Sequence, residues 1–486
     1  MSDKVATENQ GFMEEEQAEG ENSPHIGSTL CGRQSVSVAV DAFGVCSDLV
    51  LPDQAEEAAV KGTLLQRTPQ MFMPPTEEWT VREEALLKAV EEAAKQGMAS
   101  HCVARLREMV MERHRGAFRR ALTGNPPARV QPMVAKRKQG TGKVRARPKI
   151  YSPRKTEWLA KHFAQLEAAG MVFRNPQATF ASVAMAVPKG DGFRMVADYR
   201  AVNQLVEQAA MPMPRLEELG MLLKGSGAFC TLDMIQGYWQ TPLHESAQEL
   251  FTMVTTGGLF TPTRVPQGVL NATSYFQASM AEILDGMIGK KCLVWVDDIV
   301  IWAKDSKELL ETLGEVLRRL AERGLYAAAH EAAFFQTEIK WCGRVYSGEA
   351  TLPDPDRVQG LLELRRPGNG GELMHFVHAI GWLRSALPEL AELEAPLRNL
   401  LEDFLQGTKH TRRAADRRVL TEGDWTAERV FAWEQVRARV AQAVPVYHRK
   451  EGYRVLVFTD ASDLFWGGAA TQVQDAKSQR DCRWLT

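Results

Sequence analysis

Two successive acids, Asp297 and Asp298, sit inside an otherwise apolar run, VWVDDIVIWA (294–303). Few features constrain a fold as strongly. The flanking Val, Ile and Trp residues favour extended backbone on both sides. Two carboxylates are hard to bury inside a strand, so their natural place is the tight turn between two strands. Upstream, FCTLDMIQGYWQ (229–240) ends a second apolar strand at Asp233. One acid at a strand end and a pair at a turn form the carboxylate layout of a two-metal phosphoryl-transfer site. FRMVADYR (193–200) and FTDAS (458–462) are two further aspartate-bearing words along the chain.

The chemistry needs this arrangement. Phosphoryl transfer requires the attacking oxygen, the phosphorus and the leaving oxygen to be held in line with their charge neutralised. Two Mg²⁺ ions about 4 Å apart do this when carboxylates clamp them. Mg²⁺ takes only one or two carboxylates per ion, with waters and substrate phosphates completing the shell. Asp233, Asp297 and Asp298 are therefore about the right number. Without a cation, three neighbouring acids repel and take up protons. Neighbours on a strand face opposite ways, so Asp297 is expected as the central ligand. An Asp-Asp pair alone also fits an ordinary hairpin turn; Asp233 and the motifs below argue against that.

The chain of 486 residues is too long for one core, so about two to four domains are expected. Its net charge of −2 excludes no partner, but the charge is unevenly spread. Residues 1–26 are acidic, and 103–155 are basic, densest from Arg119 to Lys149. Such a segment can supply phosphate contacts or form a solvated linker. The seven cysteines are scattered, with no zinc-ligand spacing. Cys230 and Cys292 lie in apolar runs and are expected to be buried and reduced. No signal core or membrane-length apolar run is present, so an intracellular, non-secreted protein without a membrane partner is expected.

Organisation follows from the punctuation. Residues 1–76 read as an acidic, partly disordered leader, and 77–150 as a helix followed by a basic connector. That helix covers 81–96, with Thr80 and Glu83 as a capping box and Gly97 as its stop. A helix at 156–169 leads to a β-hairpin, ASVAMAV (181–187) and FRMVADY (193–199), with a Gly-rich tip. Helices are expected at 216–223, at 271–287 capped by Asn271, and one capped by Ser306 and stopped by Gly324. The order β–α–β–β–α on one sheet suits an α+β fold. Residues 351–450 read as helical and charged, and 453–462 as a new strand.

FRMVADYRAVN, MPMPRLEEL, FCTLDMIQGYWQTPL, VPQGVLNATSYFQ, VWVDDIVIWA, KWCGRVYS, LPDPDRV and FTDAS occur in one order. In this the chain resembles the reverse transcriptase of gypsy-type LTR retrotransposons (a Pol polyprotein fragment) and, more distantly, that of retroviruses. The resemblance spans roughly 150–470. It implies a right-hand polymerase of fingers, palm and thumb, then a connection segment and an RNase H domain. Fingers and palm would occupy 151–350, and thumb and connection 351–450. The implied activity is an RNA-directed DNA polymerase, extending a primer on an RNA or DNA template with dNTPs and two Mg²⁺ ions, Mn²⁺ being an alternative. Other Pol segments are further partners, and the location would be cytoplasmic or particle-associated.

Carried over by motif, Asp233, Asp297 and Asp298 resemble the metal-binding triad. Tyr238 resembles the steric gate, whose ring excludes a 2′-hydroxyl. Lys189 and Arg194 at the fingers tip resemble the triphosphate clamp, and Gln267 a nucleotide-pocket glutamine. The strand Trp341–Ser347 resembles the primer grip. Two positions depart from the pattern. Trp295 replaces the usual Tyr before the acid pair, still as a flat aromatic able to pack against primer–template. AAAHEAAFF (327–335) lacks the usual Lys-Cys pair. Asp460 in FTDAS resembles an RNase H metal ligand. The segment 451–486 is expected to be only a truncated RNase H-like start, without RNase H activity. An alternative reading is a decayed retroelement remnant that keeps the fold and binds nucleic acid without copying it. A third is a non-catalytic assembly protein, which requires the motif order to be chance.

Overall fold

The computed structural model describes residues 75–473, except 123, 191, 211–213, 215, 408–409 and 462–465. The expected acidic leader lies almost wholly outside the described residues.

The acid-bearing strands form the centre of an antiparallel four-stranded sheet. Its order is Ala333–Gln336, Ala228–Asp233, Asp298–Ala303, Cys292–Trp295. Both faces are covered, which is why these strands read as nearly continuous apolar runs. Alternate residues face opposite ways. Cys230, Leu232, Ile299 and Ile301 join one core, while Phe229, Val300 and Trp302 join another with Trp295, Ile339, Trp341 and Tyr346. The thiols of Cys230 and Cys292 are both buried, as expected.

The helix Ser306–Arg323 covers the first face with Leu309, Leu310, Leu313, Val316, Leu317 and Leu320. Each such burial contributes roughly 1.5–3 kcal/mol. Its cap is Asp305, not Ser306: the Asp305 carboxylate accepts from the backbone N–H of Lys307 and of Glu308, each at 2.9 Å. Gly324, at φ +70°, ends it as expected. The helices Pro75–Lys95 and Ser100–Glu108 share this core through Leu86, Val90, Cys102 and Leu106. Thr80 and Glu83 lie inside the first of these helices, so they do not form its expected capping box.

A five-stranded sheet runs Val172–Arg174, Gly258–Pro262, Met253–Thr255, Ser182–Lys189, Gly192–Ala197. The last two strands are the expected hairpin, with Lys189 paired to Gly192 and Arg194 to Val187. The helix Pro153–Ala168 covers this sheet with Leu159, Phe163 and Leu166. Beside Phe163, His162 is 5% exposed and stacks on Trp158 with centroids 4.8 Å apart. Burial pushes its imidazole down to about 4. The unfolded chain therefore binds the proton first, and this part of the stability is complete above about pH 6.5 and lost as pH falls toward 4. A depression from 6.5 to about 4 corresponds to about 3 kcal/mol. The His162→Phe variant should melt at a nearly constant temperature between pH 7 and 5, where the parent loses stability. Equal losses in both would show that His162 does not carry the effect.

The densest part of the basic segment, 129–149, holds no helix and makes isolated bridges from Met133 to Leu243, Arg137 to Val206 and Arg145 to Ala181. Downstream, Ile339–Trp341, Arg344–Tyr346, Ala350–Pro353 and Val446–Tyr447 make another four-stranded sheet. Helices Pro355–Leu362, Gly370–Trp382, Leu390–Leu405 and Ala427–Ala441 then surround a core of their own. The strands Arg454–Ala461 and Trp466–Val473 pair antiparallel with each other. Among the described residues no helix is long and apolar enough to cross a membrane.

Candidate active site

Strand register brings the acids together. Asp233 pairs directly with Asp298, and Trp295 with Asp298. Val296 and Asp297 are thus the two residues of the turn, which places Asp297 there and puts Asp298 at the first position of its strand. Val296 has φ +59°. A β-branched residue in that region is strained, and a positive φ at the first turn residue alone matches a type II′ hairpin. The Asp297 carbonyl accepts the Met234 N–H at 2.8 Å, tying the turn to the end of the Asp233 strand.

The strained turn is held by Gln277, on the helix Ala272–Ile283 and 3% exposed. Its Nε2 donates to the Val294 carbonyl at 3.0 Å, and its Oε1 accepts from the Val296 N–H at 2.8 Å. This helix ends at Ile283, short of the expected 287. Asn271 precedes it in the left-handed region at φ +72° and does not cap it. Instead its amide donates to the Glu207 carbonyl at 2.8 Å and accepts from the Ala209 N–H at 2.9 Å. Gln277→Leu orphans a buried N–H and carbonyl, at a cost of about 2–4 kcal/mol. The expected outcome is a lower melting temperature and weakened catalysis. A variant with unchanged melting would leave the turn without need of this clamp.

The acids are strongly perturbed. Burial raises Asp298 to about 7, with help from the charges of Asp297 and Glu331, while the Trp341 indole opposes the rise. Burial, then the Glu331 charge, raises Asp297 against the pull of its own backbone N–H. Asp233 stands well above the usual carboxylate range, through burial first, then the charge of Glu331, a hydrogen bond with Glu331, and the two other aspartates. Glu331 is a fourth acid that sequence reasoning did not single out, with His330 Nε2 at 3.1 Å from its Oε1. It lies in the AAAHEAAFF stretch; the departure from the expected lysine was visible, its proximity to Asp233 was not. The field of Lys189 also reaches Glu331. Among the described residues no three His, Cys, Asp or Glu side chains form a ready metal-ligand set. The three aspartates offer oxygen donors only, whose mutual repulsion a hard divalent ion would relieve.

Tyr238 lies on the short helix Gly237–Gln240, half-buried, with its hydroxyl 3.0 Å from Thr273 Oγ1. Its ring meets Phe276 edge-on at 5.7 Å. Gly237 permits this approach, because a Cβ there would meet Phe276 at 2.8 Å. The field of Asp297 reaches Tyr238. Gln240 braces this helix: its Nε2 donates to the carbonyls of Ile235 at 2.6 Å and Tyr326 at 3.0 Å, and its Oε1 accepts from the Tyr326 N–H at 2.7 Å. Nothing in the sequence distinguished Gln240 or Gln277 from surface glutamines.

Lys189 and Arg194 are exposed near the hairpin tip. Gln267 is exposed on a loop beside Gly268, whose added Cβ would lie 3.8 Å from the Ala197 carbonyl at the hairpin base. Trp295 corrects an expectation. It is 7% exposed and packed with Trp341 and Tyr346, so its ring supports the hairpin from within rather than offering a face to a ligand. The hairpin Ile339–Trp341/Arg344–Tyr346 turns through Cys342 and Gly343, at φ +48° and +76°. The Trp341 indole N–H is buried there and faces Asp298. Asp460 lies on its strand opposite Gly467, apart from the site in sequence and sheet.

A central antiparallel sheet with three carboxylates at a strand end and a hairpin turn, flanked by a hairpin sheet and a helical unit, defines a right-hand polymerase fold of the reverse transcriptase type. Residues 187–345 match the family model described as "Reverse transcriptase (RNA-dependent DNA polymerase)". It is 26% identical over 305 residues to the Transposon Tf2-3 and Tf2-7 polyproteins of Schizosaccharomyces pombe. That stretch covers 63% of this chain and 22% of those relatives, so the chain matches about a fifth of their length. Among solved structures it resembles the foamy viral protease-reverse transcriptase dRH in complex with double-stranded DNA, with a TM-score of 0.69 and 19% identity. That match covers 83% of this chain and 68% of the other. The same viral protein in complex with RNA/DNA hybrid gives 0.67 and 19%, covering 84% and 52%. These likenesses show the fold.

Proposed function

We propose that the chain is the RNA-directed DNA polymerase part of a gypsy-type LTR retrotransposon, extending a primer 3′ end with dNTPs on an RNA or DNA template. The observation that carries this reading is the register that sets Asp233 opposite Asp298, with Asp297 at the strained turn beside them. Asp233, Asp297 and Asp298 would hold two Mg²⁺ ions, or Mn²⁺, which would neutralise charge on the transferring phosphoryl group.

The protein's own groups do the positioning. Lys189 and Arg194 would contact the triphosphate, Lys189 as a point charge and Arg194 as a fork. The ring of Tyr238 would lie under the sugar, and Gln267 would border the nucleotide. The hairpin Ile339–Tyr346 would hold the primer end against the acids. In this reading fingers and palm lie within 151–350, thumb and connection within 351–450, and the 454–473 strand pair with Asp460 begins an RNase H-like fold. The structural neighbours are complexes with double-stranded DNA and with RNA/DNA hybrid, which supports template and primer as partners here. Other Pol segments are further partners, and a cytoplasmic or particle location fits a retrotransposon polyprotein.

Primer extension on poly(rA)/oligo(dT) is the test. The expected result is dTTP incorporation that requires Mg²⁺ or Mn²⁺ and stops with EDTA. A chain that binds this duplex tightly but incorporates nothing with either ion would favour the non-copying remnant.

A further inference from the structure

The loop that carries Gln267 is fastened by two asparagine side chains that the catalytic reading leaves unused. Asn203 closes the short helix Arg200–Asn203 and is half-buried. Its Nδ2 donates to the Gly268 carbonyl at 3.0 Å, and its Oδ1 accepts from the Leu270 N–H at 2.9 Å. Asn271, at φ +72°, makes the same pair of bonds in the other direction, to the Glu207 carbonyl and the Ala209 N–H. Each amide takes one carbonyl and the N–H two residues on, as a residue of a neighbouring parallel strand would. Gln277 holds the catalytic turn in the same way, between the Val294 carbonyl and the Val296 N–H.

Asparagine amides often do no more than satisfy a turn. Here they fasten a loop that has an anchored base and an exposed polar tip. Val269 and Ala272 are buried in one core with Val202 and Val206, so packing reinforces the hydrogen bonds. Gly268, at φ +92°, lies where an added Cβ would touch Tyr199 at 3.9 Å. Gln267, just before it, is exposed and adds little to the core. Its place is set by how the residues after it are held. The loop runs on into the helix Ala272–Ile283, which sets Thr273 against the Tyr238 hydroxyl and Gln277 on the turn. The other side of the fastening is itself fixed. The Glu207 N–H donates to the Lys136 carbonyl at 2.9 Å, and the Lys138 N–H to the Leu205 carbonyl at 2.8 Å. A polar tip on a rigidly held base is the build of a binding loop.

Resting on the polymerase reading, we propose that Asn203 and Asn271 are positioning residues for the incoming dNTP, holding the 267–271 loop so that Gln267 borders the nucleotide. Neither asparagine touches the substrate; each acts through the loop. Loss of either amide frees a backbone carbonyl and an N–H and lets the tip move. Affinity for dNTP then falls, because the polar group is no longer held in place, while the duplex contacts stay as they were.

The test uses the full chain on poly(rA) annealed to a dideoxy-terminated oligo(dT), which takes up dTTP without turnover. Asn203→Ala and Asn271→Gly, the second keeping the left-handed backbone, should each need about tenfold more dTTP to half-saturate the complex. Affinity for the duplex alone should stay within about twofold. On an extendable primer the KM for dTTP should rise by the same factor, with kcat within about threefold of the parent. Gln267→Ala should give a similar loss by itself. Added to Asn203→Ala it should cost less than about threefold more, because both act through one loop. If Asn203→Ala melts below the assay temperature, Asn271→Gly carries the same readings. Parent-like dTTP affinity in both asparagine variants would overturn the proposal. So would losses that multiply with that of Gln267→Ala. Parent-like affinity in Gln267→Ala would remove the loop from the pocket, and the proposal with it. A parent that takes up dTTP on the blocked primer yet never extends a free one faults the acid site instead, and the binding series still decides on the loop.

Discussion

Asp297→Asn should abolish primer extension while leaving the protein folded. Cation clamping of transferring phosphoryl groups contributes several kcal/mol, so a loss of about a thousandfold or more is expected. Removing one charge also relieves repulsion in a partly buried acid cluster. Asp298→Asn, which removes an acid repelled by Asp297 and Glu331, should therefore melt higher than the parent in EDTA while being equally inactive. Opposite signs in activity and metal-free stability are what a functional cluster predicts. Incorporation that survives Asp297→Asn would refute the assignment of the site. A lower melting temperature for Asp298→Asn in EDTA would point instead to a structural hairpin turn.

The second large effect is expected at Tyr238. Its position is fixed by the hydroxyl contact to Thr273 and the ring contact to Phe276. In the proposed reading, a ring held this way would not retreat from a 2′-hydroxyl. Tyr238→Ala opens that space, and ribonucleotide use relative to dNTP should rise at least tenfold, about 1.4 kcal/mol of lost discrimination. Tyr238→Phe keeps the ring and should keep the discrimination, which separates the steric role from that of the hydroxyl. Discrimination unchanged in the Ala variant would remove Tyr238 as the gate.

Much of the core site was legible in the chain because strand periodicity and turn chemistry are local. Apolar runs broken by acids place Asp233, Asp297 and Asp298 at strand ends and a turn before any long-range contact is known. Caps were less secure. Ser306 and Asn271 both looked able to cap helices, but Asp305 is one residue better placed, and Asn271 makes its bonds to the 207–209 backbone instead. Trp295 was misjudged because an aromatic beside an acid pair can face either side of a sheet. Only the packing of the 339–346 hairpin decides which.

By itself the order of residues determined the strands and the turn that present the three acids, because side-chain alternation and turn preference act over a few residues. Tertiary structure alone decided which groups meet. Gln277 clamps the turn, Glu331 presses on Asp233, and Asn203 fastens the loop at Gly268 and Leu270. Each of these pairings joins positions far apart in sequence. Hydrogen bonds, charge and close approach depend on distance in space, and no local pattern in the chain records it.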